Sequence, residues 1–353
     1  MFLDRPVQDL CIDPAAHLIR ALEVIQRTAK QIALVVDADR RLLGTITDGD
    51  IRRSILAGVP LDAPASRIMN TACTTGAAGT SAADAFALMR DRTIRHVPLL
   101  DESGRVADLV WISDLLTREE AALSAVVMAG GFGKRLRALT ADTPKPMLPV
   151  GGRPAMEHLI GQLRGSGVRD VLITTHYKPE KIMAHFGDGR DHGIRVRYVR
   201  EETPMGTAGA LSLVGALDKP LLVVNGDIVT SVDFGAMLAF HRDHAADLTM
   251  GVRQCCLRVP YGVVRTEGVR VAGIQEKPRY SFFISAGMYL LEPTVAAHLP
   301  PGARTDMPEL IEALIAAGRA VVSFPVVEYW MDIGAIDDYE RARRDAENGR
   351  VGG

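Results

Sequence analysis

Three short segments of this chain hold residue types that suit phosphate chemistry. Ser124 to Ala129 (SAVVMA) is a continuous apolar run of strand length, and it empties into Gly130-Gly131-Phe132-Gly133-Lys134-Arg135-Leu136. Glycine tolerates positive φ angles and close backbone approach, so successive N–H groups of such a loop can cradle a phosphate, while Lys134 and Arg135 add positive charge. Neither a Walker A loop nor a complete GxGxxG is present, and a plain strand-to-helix turn has the same form. Next comes Pro144-Lys145-Pro146. Two prolines limit the backbone on either side of one lysine, which suits a cation that must be aimed, or one whose stem covers a groove. A second apolar run, Leu221 to Val224, ends in Asn225-Gly226-Asp227. It would place a carboxylate at the C-terminal edge of a parallel sheet, where ligands bind in such folds; an ordinary turn aspartate reads the same.

The elements that must position these groups sit in a chain of 353 residues, enough for two or three domains. Hydrophobic residues make up 47% and charged residues 24%, which excludes disorder and fibrous repeats. A formal charge of −2 supplies no net field for nucleic acid or an anionic membrane, so any polyanion must be held by local groups. Cys11, Cys73, Cys255 and Cys256 form no CxxC pair, which supports neither a disulfide framework nor a zinc site. The opening MFLDRPVQDL lacks a basic and apolar leader, and no uncharged apolar run reaches membrane-spanning length; a cytoplasmic protein is expected.

The first third repeats itself. Val36-Asp37 aligns with Leu100-Asp101, and Asp50-Ile51 with Asp114-Leu115, each 64 residues on. Each copy reads as a helix (15–28; 81–92), a strand (32–37; 96–101), a turn, a second strand (42–47; 106–112), and a helix opening at Asp48 or Ser113. A unit of about 60 residues is marginal for a core of its own, so the two should pack face to face. VVDADRRLLGTITDGDIRR and PLLDESGRVADLVWISDLL resemble a tandem pair of CBS (cystathionine-β-synthase-like) domains over residues 1 to about 120. That resemblance implies domains at 1–60 and 61–120 and a regulatory adenine nucleotide, AMP or ATP, at Thr47 and Asp50 and at Ser113 and Asp114. The same residues are ordinary helix N-caps, and many such pairs only dimerise. Trp111 stands where Thr47 has its equivalent, which favours the first copy. LLTREEAALS then reads as a short polar helical connector.

From Gly130 to Ile160 the chain is similar to the sugar-1-phosphate nucleotidylyltransferases, whose signature is a GGxGxRL loop followed by PKP. Lys134 departs from the usual Thr or Ser, and Ala138 from a frequent Pro. The likeness continues through Asn225-Gly226-Asp227, Glu276-Lys277-Pro278 and Tyr329-Trp330-Met331-Asp332-Ile333-Gly334, and through Glu201 to Ala210, the base-recognition turn, with Gly206 and Thr207 near the base. Tyr261-Gly262 and Ser285-Ala286-Gly287 stand where the family wraps the sugar.

The resemblance implies a catalytic domain at 124–346 with an α/β fold: a Rossmann-like, doubly wound, mostly parallel sheet of the nucleotide-diphospho-sugar transferase type, preceded by the CBS pair. Its substrates are a nucleoside triphosphate and a sugar 1-phosphate, GTP favoured over UTP or CTP, with a mannose-, heptose- or glucosamine-type sugar. Arg135 and the amides of Gly130, Gly131 and Gly133 would take the β and γ phosphates, Lys145 the α phosphoryl oxygens, and Glu276 and Lys277 the sugar and its phosphate. Asp227 and Asp332 would carry magnesium. A homodimer through either module is expected. The competing reading is a CBS-type nucleotide sensor whose second domain binds sugar nucleotide without turnover.

Overall fold

The computed structural model describes residues 6–92, 94–112, 123–131, 133–136, 139–215, 218–300 and 302–351. Its contacts divide the chain into two compact units, Met1–Glu119 and Glu120–Gly353.

The first unit holds two three-stranded sheets, Cys11–Ile12 with Ile32–Val36 and Leu42–Thr47, and Gly76–Ala77 with His96–Leu100 and Val106–Trp111. In each sheet the first pair is parallel and the second antiparallel. The repeat reaches atomic detail. The register slips between Val35 and Val36 in one sheet and between Leu99 and Leu100 in the other, 64 residues on. Asp37 Oδ1 accepts from the amides of Asp39 (2.9 Å) and Arg41 (2.8 Å); Asp101 Oδ1 accepts from those of Ser103 (2.9 Å) and Arg105 (2.8 Å). A carboxylate that ties its own following turn fixes the hairpin in both copies.

The copies share one core, in which Ile32, Leu34 and Val36 meet Val106 and Leu109. They are also joined by reciprocal backbone bonds, Leu42 N to Gly104 O (3.1 Å) and Val106 N to Arg40 O (3.2 Å), on either side of a bridge between Arg41 and Arg105. Face-to-face packing of two marginal units is thus the arrangement found. The first helix runs Leu18–Thr28 rather than from residue 15, because Asp13 and Pro14 form a turn in which Asp13 Oδ1 accepts from Ala15 N at 2.7 Å.

In the second unit, seven strands form one sheet in the order Arg195–Arg200, Asp170–Thr175, Ser124–Ala129, Leu221–Asn225, Arg279–Leu291, Leu248–Arg258, Val321–Pro325. The first four are parallel; Arg279–Leu291 runs antiparallel to both its neighbours, and Val321–Pro325 is parallel to Leu248–Arg258. Both faces are covered, which explains the unbroken apolar strands. Ala125, Val127 and Ala129 point to a core built with the helices Ala155–Gly165, Pro179–Phe186 and Phe234–Asp243, whereas Val126 points to the opposite core with Ala208, Leu211 and the helix Met307–Ala316. Helices on both faces of a mostly parallel sheet are the doubly wound α/β architecture. Among the described residues no helix is long and apolar enough to cross a membrane.

In the first unit, the His96 ring lies parallel to that of Trp111, with centroids 6.3 Å apart, and bonds the Lys30 carbonyl through Nε2 at 2.7 Å. That bond ties the second copy to the first. Burial disfavours the imidazolium and holds the His96 pKa down at about 4, against an ordinary 6.5. The unfolded chain therefore takes up a proton that the folded unit refuses, so stability is full above about pH 6.5 and falls as pH drops toward 4. Denaturant midpoints at pH 7 and pH 5 should show this loss, and His96→Gln, which keeps an N–H donor, should lack that part of it.

Candidate active site

The strands Ser124–Ala129 and Leu221–Asn225 lie side by side with Asn225 opposite Met128, so their carboxyl ends open at the same edge. The first delivers Gly130 and Gly131. The second delivers Asp227, after Gly226 N has bonded the Met128 carbonyl at 2.9 Å. The Pro144-Lys145-Pro146 segment crosses this edge as a 3-10 turn, Lys145–Met147, closed by Met147 N on Pro144 O at 2.8 Å. A side chain on Gly226 would begin 3.1 Å from the Met128 carbonyl oxygen and 3.2 Å from Val127 Cγ1, so the small residue keeps the two strand ends close, with Pro146 Cγ in ordinary contact at 3.4 Å.

Lys145 is 9% exposed. Its ammonium donates to Asp227 Oδ2 and, at 3.2 Å, to Asp332 Oδ1. Asp332 arrives from the far end of the chain on the strand Trp330–Asp332, which pairs antiparallel with Ile228–Thr230 so that Asp332 sits opposite Ile228. Ile333 N then bonds Asp227 O at 3.2 Å. Burial and the neighbouring Asp227 charge push the Asp332 carboxyl above the usual range, against the lowering pull of Lys145 and Arg135. Two carboxylates that share one ammonium, partly shielded from water, repel each other, and the cation beside them offsets that repulsion. One or two carboxylates with room for phosphate oxygen are also the donor set that magnesium accepts, so the pair fits a divalent ion.

Arg135 lies in the 3-10 turn Lys134–Leu136, exposed, beside Gly334. A side chain on Gly334 would begin 3.3 Å from Asp332 Oδ1 and 3.5 Å from Arg135 Nη2, so the Asp332 carboxylate and the guanidinium both border this glycine. Gly133 has φ +62°, and its Cα faces Thr140, whose hydroxyl donates to the Gly133 carbonyl at 3.0 Å. Among the described residues the glycine loop leads into the 3-10 turn Lys134–Leu136.

Gly130, Gly131, Lys145, Asn225 and Asp227 line a cleft whose opposite wall is Glu201, Pro204, Gly206 and Thr207. Gly206, at φ +81°, has no room for a Cβ, which would come within 2.5 Å of the Thr305 carbonyl. Thr207 locks this wall in place: its amide donates to Asp306 Oδ1 (3.0 Å) and its hydroxyl accepts from Met307 N (2.8 Å) at the start of the helix Met307–Ala316. Glu201, quoted in the sequence motif but not singled out there, is buried. One of its oxygens accepts from Met205 N at 3.0 Å, and the other stands 2.8 Å from the Cβ that Gly130 lacks. No local signal announced a buried carboxylate facing a glycine loop: Glu201 follows the strand Arg195–Arg200, whose residues RVRYVR alternate charged and apolar.

The other expected residues are placed as follows. Gly287, at φ +66°, abuts the Asn225 amide, 2.6 Å from where its Cβ would be, and so lies at the cleft's floor strand. Gly262, Glu276 and Lys277 lie farther along the sheet extension, where Lys277 N bonds Tyr261 O at 3.2 Å; both side chains are exposed and none of the three lines the cleft. In the first unit, Thr47 and Asp50 form a capping box. Asp50 Oδ2 accepts from Thr47 N (2.8 Å) and Thr47 Oγ1 (2.7 Å), and Arg53 bonds Asp50 Oδ1. These side chains are engaged with one another at a helix start. Ser113, Asp114, the connector up to residue 122 and the side chain of Lys134 lie outside the described residues.

Comparison with known proteins follows the same division. The model of the family described as CBS domain matches residues 4–57 and 65–119. Over 234 residues the chain is 36% identical to a mannose-1-phosphate guanylyltransferase of Mycobacterium tuberculosis, covering 64% of this chain and 65% of that relative, so it spans just under two thirds of the relative's length. A D-glycero-alpha-D-manno-heptose 1-phosphate guanylyltransferase of Aneurinibacillus thermoaerophilus is 29% identical over 229 residues, covering 64% of this chain and 99% of that protein. Among solved structures, HddC of Yersinia pseudotuberculosis in complex with GMP-PN matches with a TM-score of 0.51 at 25% identity, over 63% of this chain and 98% of that one. The model of the family described as Nucleotidyl transferase matches residues 124–349, well over half of the chain, and to that family the chain belongs.

Proposed function

We propose that this protein transfers a nucleotidyl group from a nucleoside triphosphate, GTP by preference, to the phosphate of a sugar 1-phosphate of mannose, heptose or glucosamine type, releasing pyrophosphate. The observation that carries the reading is the Lys145 ammonium held between Asp227 and Asp332 at the mouth of a glycine-walled cleft. The acceptor phosphate is already an anionic nucleophile at neutral pH, so the reaction needs no general base. A new P–O bond forms at the α phosphorus as the α–β anhydride bond breaks, and pyrophosphate departs with the electron pair. The work left to the protein is alignment and charge neutralisation.

Lys145 is placed to meet negative charge that grows on the α phosphoryl oxygens. Arg135 and the amides of Gly130, Gly131 and Gly133 hold the β and γ phosphates, and Lys277 receives the sugar phosphate. Asp227 and Asp332 are the residues that would hold magnesium, which when bound supplies charge neutralisation to the triphosphate. The proposed preference for GTP has a physical basis in Glu201. Guanine presents two donors on one edge, N1–H and the 2-amino group, and a fixed carboxylate accepts from both; uracil, cytosine and adenine each offer one donor there. Relatives named as guanylyltransferases agree with this choice.

Pyrophosphate release from a matrix of GTP, UTP, CTP, dTTP and ATP against mannose, glucose, glucosamine, N-acetylglucosamine and heptose 1-phosphates, with magnesium, tests the reading. One active pair is expected; silence across the matrix from folded protein overturns it. Lys145→Ala should lower turnover by about 10² to 10³ with the fold intact, as loss of one charge-stabilising donor does elsewhere. Glu201→Gln should narrow the ratio of GTP to UTP turnover by about tenfold or more, since one acceptor becomes a donor facing a donor.

A further inference from the structure

Between the glycine loop and Lys145 the chain is gripped from a neighbouring strand. The strand Asp170–Thr175 lies beside Ser124–Ala129 with Thr175 opposite Ala129, so the residues that follow it, His176, Tyr177 and Lys178, emerge at the same edge as Gly130 and Gly131. The Tyr177 hydroxyl shares its proton between the carbonyls of Thr140 (3.1 Å) and Ala141 (2.9 Å). Lys178 Nζ donates to the Ala141 carbonyl at 2.7 Å and to Asp142 Oδ1 at 2.9 Å. Two successive side chains thus hold three successive residues, and Thr140 passes the hold on to the loop through its bond to the Gly133 carbonyl.

Two features of this grip go beyond packing. Lys178 has φ +49° and ψ +52°, the left-handed region that favours glycine, directly ahead of the helix Pro179–Phe186. A side chain persists in that conformation where its surroundings hold it there, and here the lysine stem carries its ammonium to Ala141. The Asp142 side chain is 91% exposed, so its ion pair with Lys178 adds little. What remains is the hold on main-chain carbonyls, which fixes the path of the loop whatever its side chains are. Lys145 has fastenings of its own, the turn Lys145–Met147 and the two carboxylates, so the grip acts on the other limb, toward Gly133 and Arg135.

We propose that Tyr177 and Lys178 are positioning residues that hold the glycine loop and Arg135 in the conformation that receives the β and γ phosphates. This role rests on the nucleotidyl transfer proposed above and separates the two outer phosphates from the inner one. The α phosphate answers to Lys145, so a nucleotide that ends there makes no use of the grip. A loop released from the grip is competent only part of the time, and its apparent affinity falls by that fraction.

Calorimetric titration of the full chain with GTP and with GMP, each with magnesium, tests this. Lys178→Ala and Tyr177→Phe should each weaken GTP binding about tenfold, as when the competent fraction falls to about a tenth, and leave GMP binding within about twofold of the wild type. Lys181→Ala removes an equal charge from the same helix, one that also acts on Asp142, and should change neither. Equal losses for GTP and GMP in both grip variants mark a merely structural role and overturn the proposal, as does an unchanged GTP affinity in both. A wild type that binds GTP no tighter than GMP overturns the assignment of the outer phosphates to the loop, and the grip with it.

Discussion

The second unit is organised around one ammonium group between two carboxylates that are 82 and 187 residues from it in sequence. Asp227 comes from the edge of the main sheet and Asp332 from a separate short strand, and their elements are joined by the ladder Ile228–Thr230 with Trp330–Asp332 and by the bond from Ile333 N to Asp227 O. Bringing two anions together in a half-buried corner is unfavourable by itself, as the raised Asp332 carboxyl records. Lys145 makes the convergence tolerable, and the two prolines beside it hold the lysine's backbone where its side chain can reach both. Small residues border the site: Gly226 lies against the Met128 carbonyl and Val127, and Gly334 against the Asp332 carboxylate.

Much of this was legible in the residue order because strands buried on both faces write themselves as unbroken apolar runs. SAVVMA and LLVV could therefore be placed, with their glycines and Asp227 at the carboxyl ends. The meeting of Asp227 with Asp332 was open to resemblance and not to periodicity, since nothing local in WMDIG says which strand it will pair with. Glu201 escaped notice because a carboxylate followed by another in EETP looks like an exposed turn; its burial depends on Gly130, seventy-one residues earlier, lacking a side chain. Glu276 and Lys277 stand exposed on the extension of the sheet, outside the lining of the cleft; their motif is plain in the sequence, whereas its place on that extension depends on strand pairing far from it.

Within the first unit the repeat was legible at the level of single side chains, because Asp37 and Asp101 occupy the same turn and do the same job. What the offset did not disclose is that Thr47 and Asp50 would satisfy each other. A hydroxyl and a carboxylate three residues apart at a helix start have the capping box available to them, and a ligand would compete with those bonds.

Beside its shared apolar core, the seam between the two copies includes main-chain bonds: Leu42 N with Gly104 O, and Val106 N with Arg40 O. Main-chain bonds carry no residue identity, so the joint survives substitution at the very positions that form it. The two halves thus share one backbone frame while their exposed side chains need not match: threonine at 47 and tryptophan at 111, 64 residues on, give equivalent places in the two copies unlike chemistry.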